Sequence, residues 1–140
     1  MVSVAALYTP EVLGLATSLA AFPLNDDLIL RGEARSPTCG SAVTLGLATD
    51  GEGRVTRVGI RAHACAIGQA AAAIFVQSAV GSNRAWLAEA EAAIARWLAS
   101  EGPLPSWPAL RTIARAADYP ARHGAILLPW RAALVALPSG

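Results

Sequence analysis

Between Leu28 and Arg61 the sequence alternates apolar and polar residues in three short runs, and after Ala64 that alternation does not return. In the first run Leu28, Leu30, Gly32 and Ala34 fall on one face, and Ile29, Arg31, Glu33 and Arg35 on the other, which is the period of a strand. The second run sets Val43, Leu45 and Leu47 against Thr44, Gly46 and Ala48, and the third sets Val58 and Ile60 against Arg57 and Arg61. Ser36-Pro37-Thr38-Cys39-Gly40 separates the first two runs, and Asp50-Gly51-Glu52-Gly53 the last two; both are turns by composition. Connections this short join antiparallel strands. The spacing therefore predicts a three-stranded antiparallel β-meander.

Helical patterns flank the meander. Thr9-Pro10-Glu11 is a helix start, with a capping hydroxyl, a proline whose missing N–H costs nothing there and a carboxylate near the positive end. Val12, Leu13, Ala16, Leu19 and Ala20 continue it as one stripe to about Leu19. Downstream, a buried helix is expected from about Ala64 to Val80, closed by Gly81. A second carries Trp86, Leu87, Ala90, Ile94, Trp97 and Leu98 on one stripe, which reads both tryptophans as core. A short helix at about Ala109 to Ala117 and a last one from about Pro120 to Ala136 follow, with Pro129 kinking the last or delaying its start. The expectation is a single α+β domain over residues 1–140, with an N-terminal helix and C-terminal helices packed on one face of the sheet.

Composition narrows the function. Apolar residues make up 54% of the chain, enough to offset the entropy of ordering it. Eleven arginines and no lysine stand against ten acidic residues, so no strong field attracts nucleic acid or anionic lipid. The most apolar run, Ala64 to Val80, holds Gln69, Gln77 and Ser78 and falls short of a membrane span. Two cysteines are too few for a secreted disulfide framework, and MVSVAALYTPEVL has no basic stretch ahead of its apolar residues, so a cytoplasmic protein is expected. No phosphate loop, Ser-His-Asp arrangement or carboxylate pair points to hydrolase chemistry.

The meander itself gathers the chemistry. Its first turn and the end of its third strand lie at the same end of the sheet, so Cys39 and Cys65, 26 positions apart, are brought to one edge. Cys65 opens the long helix, where the helix dipole favours the thiolate, which is both nucleophile and metal ligand. Free cysteine is most often a small buried hydrophobe. Cys39 among Pro, Thr, Gly and Ser in a turn, and Cys65 near His63 at a helix start, fit a functional thiol pair better. His63 and His123 are singly unremarkable, but both lie at helix starts, and mixed sulfur and imidazole donors suit zinc and iron.

At these residues the chain resembles the IscU/NifU/SufU family of iron-sulfur cluster scaffold and sulfur-acceptor proteins, from about Tyr8 to Leu134. Members carry a Pro-x-Cys-Gly-Asp turn, a Cys-Ala-Ile-Ser-x-Ala-Ser helix start and a third cysteine at the start of a late helix. Here the first two read Pro37-Thr38-Cys39-Gly40-Ser41 and Cys65-Ala66-Ile67-Gly68-Gln69-Ala70-Ala71. The third region, Arg122-His123-Gly124-Ala125-Ile126-Leu127-Leu128-Pro129-Trp130, has Gly124 at the cysteine position, and Ser41 replaces the aspartate. Glycine offers no side-chain ligand and a serine hydroxyl is a far weaker donor than a carboxylate, so reduced metal affinity is expected. The long stretch between Cys65 and Gly124 is more similar to the SufU branch.

The resemblance implies a SufE/NifU-like fold and a scaffold or carrier in iron-sulfur cluster assembly. Cys39 and Cys65 would hold an iron-sulfur cluster, iron or zinc, completed by His123 and by His63 or Ser41. It implies a cysteine desulfurase and recipient apo-proteins as partners. Two alternatives come from other classes. One is a sulfurtransferase-like persulfide acceptor, with Cys39 as the attacking thiol; the other is a degenerate, metal-free binding module.

Overall fold

The computed structural model describes residues 7–37 and 40–138. Helix α1, Pro10–Ser18, starts as its sequence dictates: Thr9 Oγ1 accepts a hydrogen bond from the Val12 N–H at 3.2 Å and Pro10 occupies the first turn. Three strands follow, β1 Leu30–Arg35, β2 Ala42–Thr49 and β3 Val55–His63, in the order β1-β2-β3 with both pairings antiparallel. The meander is present in the expected register of faces. Val43, Leu45, Leu47 and Ile60 are buried on the inner face, and Arg31, Glu33, Arg35, Arg57 and Arg61 are exposed on the outer one.

Helices α2 (Ala66–Ser78), α3 (Arg84–Leu98) and α4 (Pro120–Ala136) complete the chain, with a 3-10 segment at Leu110–Asp118. The inner face of the sheet is closed by α4. A Cβ on Gly32 would run into the backbone of Ala132 and Ala136, so only glycine lets α4 lie this close to β1. Helix α2 packs between α1 and α4, and every residue from Ala70 to Val76 is buried. That burial explains its alanine content, since small side chains let three elements approach one helix. Among the described residues no helix is long and apolar enough to cross a membrane.

Several sequence expectations need correction. Leu28 is buried, but it precedes β1 and packs on the outer face, not the inner one. The cross-strand pair Gly46 and Gly59 leaves a trough there, into which Leu28 settles; a Cβ at Gly46 would strike Leu28, and one at Gly59 would strike Leu28 and the Pro23 carbonyl. Leu13 is largely exposed while Leu15 packs against the core, so the buried stripe of α1 is rotated. Trp86 is 66% exposed, because the buried row of α3 is Leu87, Ile94 and Leu98, and Trp86 sits one position, about 100°, off that row. The segment near residue 110 is 3-10, not α-helical, and enters through Ala109 at φ 66°. Helix α4 starts at Pro120 and runs through Pro129 with no delayed start.

Candidate functional site

Ala42 pairs with Arg35 on one side and with His63 on the other, which fixes one end of the sheet. Beyond Arg35 the chain turns through Ser36 and returns at Ser41. The Ser36 N–H donates to the Ser41 carbonyl at 2.9 Å and the Gly40 N–H to the Ser36 carbonyl at 3.0 Å. Cys39 belongs to this turn by sequence, and its placement lies outside the described residues. Beyond His63 the chain reaches Cys65 in two residues, roughly 7 Å of backbone, and neighbouring strands lie about 5 Å apart. The returning turn and Cys65 thus occupy the same end of the sheet, as the meander requires.

Cys65 is the N-cap of α2, with φ −63° and ψ 171°, and its sulfur makes no capping hydrogen bond. It is half-buried against the core, and it is a free thiol. The helix start is held by backbone and by one side chain: the Gln69 N–H donates to the Cys65 carbonyl at 2.9 Å, and Gln69 Nε2 donates to the Ala64 carbonyl at 3.1 Å. Gln69 is a positioning residue that motif spacing does not single out. Its signal in the sequence is the i+4 relation to Cys65, one helical turn along the same face.

The start of α4 comes up beside this turn. A Cβ on Gly68 would press on the Cβ atoms of Ala64 and Ala125, so α2 and α4 touch closely one turn past Cys65. Gly124, the residue before Ala125, is half-buried there. His123 is half-buried, with Nε2 at 2.8 Å from the Ala117 carbonyl. If Nε2 carries the proton, Nδ1 is the nitrogen left to accept a proton or a metal. Arg122 Nη2 reaches Tyr8 Oη at 3.5 Å, tying α4 to the segment ahead of α1.

The other two candidates are placed less favourably. His63 is exposed, and alternation along β3 puts it on the outer face with Arg61. Ser41 is buried, its carbonyl used in closing the turn. Among the described residues no group of three or more His, Cys, Asp or Glu side chains is arranged to hold a metal. Carboxyls with altered pKa lie elsewhere. The Arg35 guanidinium holds Glu33 below its ordinary value, and Arg57 does the same for Asp27, both on the outer side of the sheet.

The overall fold, a three-stranded meander followed by α2, α3 and α4, is shared with solved structures. The N-terminal part of a nitrogen-fixing NifU-like protein from Brucella abortus superposes with a TM-score of 0.83 at 27% identity, covering 93% of this chain and 91% of that one. A protein from Fervidobacterium islandicum, described as an iron-sulfur cluster assembly scaffold for the SUF system, gives 0.84 at 20% identity over 97% and 100%. No family model and no curated protein sequence matches the chain. The fold is NifU-like, and Gly124 and Ser41 stand where the sequence resemblance places the family's third cysteine and aspartate.

Proposed function

We propose that the protein is a scaffold or carrier in iron-sulfur cluster assembly that takes its cargo on the thiols of Cys39 and Cys65. The observation that carries this reading is the position of Cys65, a free N-cap thiol at the sheet end to which the β1–β2 turn returns, in a fold shared with a NifU-like protein. The cargo is iron, an iron-sulfur cluster or zinc. Thiolate sulfur is the donor these share. His123, through Nδ1, is the imidazole that α4 offers, with His63 and Ser41 as weaker completing donors. Binding requires deprotonated thiols and neutral imidazole, so loading releases protons and weakens in acid. A cysteine desulfurase would supply sulfur and apo-proteins receive the cargo, in the cytoplasm.

A second reading, sulfur acceptance, is favoured by the donor set. Gly124 contributes no ligand and Ser41 a poor one, whereas persulfide transfer needs a single thiolate. The thiolate attacks the outer sulfur of the desulfurase persulfide. A new S–S bond forms on this chain, the donor's S–S bond breaks, and the desulfurase cysteine leaves as thiolate. Elemental analysis of anaerobically purified, untagged protein separates the two readings. Near-stoichiometric iron or zinc that falls in Cys65→Ser supports the scaffold; metal-free protein that gains sulfur on Cys39 or Cys65 supports the acceptor. Unchanged metal content in Cys65→Ser overturns the proposed metal role of that thiol.

A further inference from the structure

At the far end of α2 from Cys65, an open groove of about 450 Å³ lies between α3 and the segment preceding the 3-10 helix. Its walls include Trp86, Ala90, Pro105, Trp107 and Pro108, with Glu89 on the rim. Two features set it apart from an ordinary surface hollow. Trp86 is 66% exposed and lines the same groove as Trp107, Pro105 and Pro108, so its exposed indole belongs to a concave, largely apolar surface. Trp107 is rigidly mounted. Its ring stacks on Phe75 at 5.8 Å with planes 7° apart, meets Trp130 edge-on at 5.3 Å, and donates through Nε1 to the Ile74 carbonyl at 3.0 Å. Phe75 stacks on the indole, and Trp107, half-buried, lines the groove.

Among the described residues Glu89 is the only charged one lining the groove, and it has no ion-pair partner. A carboxylate in a groove that two tryptophans line favours a cation, because indole π-faces and the anion both attract positive charge. Arginine fits better than lysine, since a planar guanidinium stacks on an indole while bonding a carboxylate. Grooves lined by aromatic side chains receive extended, proline-containing chain, and two tryptophans line this one. We propose that this groove docks a basic, proline-flanked segment of a protein partner, seating an arginine over Trp86 beside Glu89. The groove begins at Ser78, the last residue of α2, roughly 20 Å along the helix from Cys65. A partner held there leaves the thiol end open, so docking and loading are independent.

The test uses the full chain, isotope-labelled, titrated with a blocked Pro-Pro-Arg-Pro-Pro peptide and with its Glu-for-Arg counterpart, following the indole N–H signals. The arginine peptide is expected to shift Trp86 and Trp107 saturably, and the glutamate peptide to leave them in place. Trp86→Ala should weaken binding by roughly fivefold or more, and Glu89→Arg should reverse the preference between the peptides. Both residues are exposed, and the unperturbed remainder of the spectrum verifies folding. Equal binding of the two peptides, shifts confined to other residues, or no Trp86 and Trp107 shifts at millimolar arginine peptide would each overturn the proposal. Loading at Cys65 is read separately by metal and sulfur content.

Discussion

The two ends of the sheet are built differently. At the far end polar groups are assigned to holding structure. Asp50 Oδ1 accepts from the Glu52 and Arg54 N–H groups at 2.9 and 3.0 Å, closing the β2–β3 turn. Arg84 Nη1 donates to the carbonyls of Leu134 and Leu137 at 2.6 and 2.8 Å, tying down the end of α4, and Val55 exchanges backbone hydrogen bonds with Gly81 and Ser82. At the thiol end, among the described residues, the Cys65 sulfur makes no capping hydrogen bond, Gly124 has no side chain and His123 meets one carbonyl. One end is devoted to stability and the other leaves its reactive atoms disengaged, so substitutions at the two ends should separate folding from loading.

The sharpest break of that comparison is Cys65→Ser. Loading with iron or transferred sulfur should fall to background at that position, while the urea midpoint moves little, because the side chain is half-buried and nearly isosteric. Gly124→Cys runs the comparison the other way. A third thiolate beside the first turn of α2 should tighten retained metal on the order of tenfold, measured by chelator competition. Arg84→Ala strikes the far end: losing two hydrogen bonds from a charged donor should cost about 2 kcal/mol in urea unfolding and leave loading unchanged. The smallest effect is the acid response of the far turn. The Arg54 and Glu52 N–H groups hold the Asp50 carboxyl below its ordinary 3.8, so its contribution is full above that value and is lost as pH falls through the lower, folded value. Asp50→Asn should flatten that part of the acid stability profile, and an unchanged profile would remove Asp50 from the account.

Much of the architecture is legible in residue order, for identifiable reasons. Period-two alternation with turn residues at Ser36–Gly40 and Asp50–Gly53 leaves few options other than a meander, and Thr9-Pro10 fixes the start of α1. The juxtaposition of Cys65 with the first turn follows from that topology alone. What sequence hides is packing on both sides of the sheet. Leu28 has the right parity for the inner face, yet the Gly46–Gly59 trough on the outer face captures it once the chain bends at Asn25, whose carbonyl accepts from the Leu28 N–H at 3.1 Å. Trp86 and Trp97 are spaced as core residues; Trp97 packs against the core, but Trp86 lies one position before the buried Leu87 and is exposed, and only the fold shows which row faces inward. Gln69 has a sequence signal in its i+4 relation to Cys65, but its hydrogen bond to the Ala64 carbonyl is seen only in the fold. The resemblance supplies what no periodicity could, the chemistry expected of the thiol end.

The most direct test is native mass spectrometry of the wild-type chain and of Cys65→Ser after anaerobic exposure to a cysteine desulfurase, cysteine and ferrous iron. The account predicts sulfur or iron-sulfur adducts on the wild type that map to Cys39 and Cys65 and are lost or sharply reduced in the variant. An unmodified wild type, or the same adducts in both proteins, would contradict it.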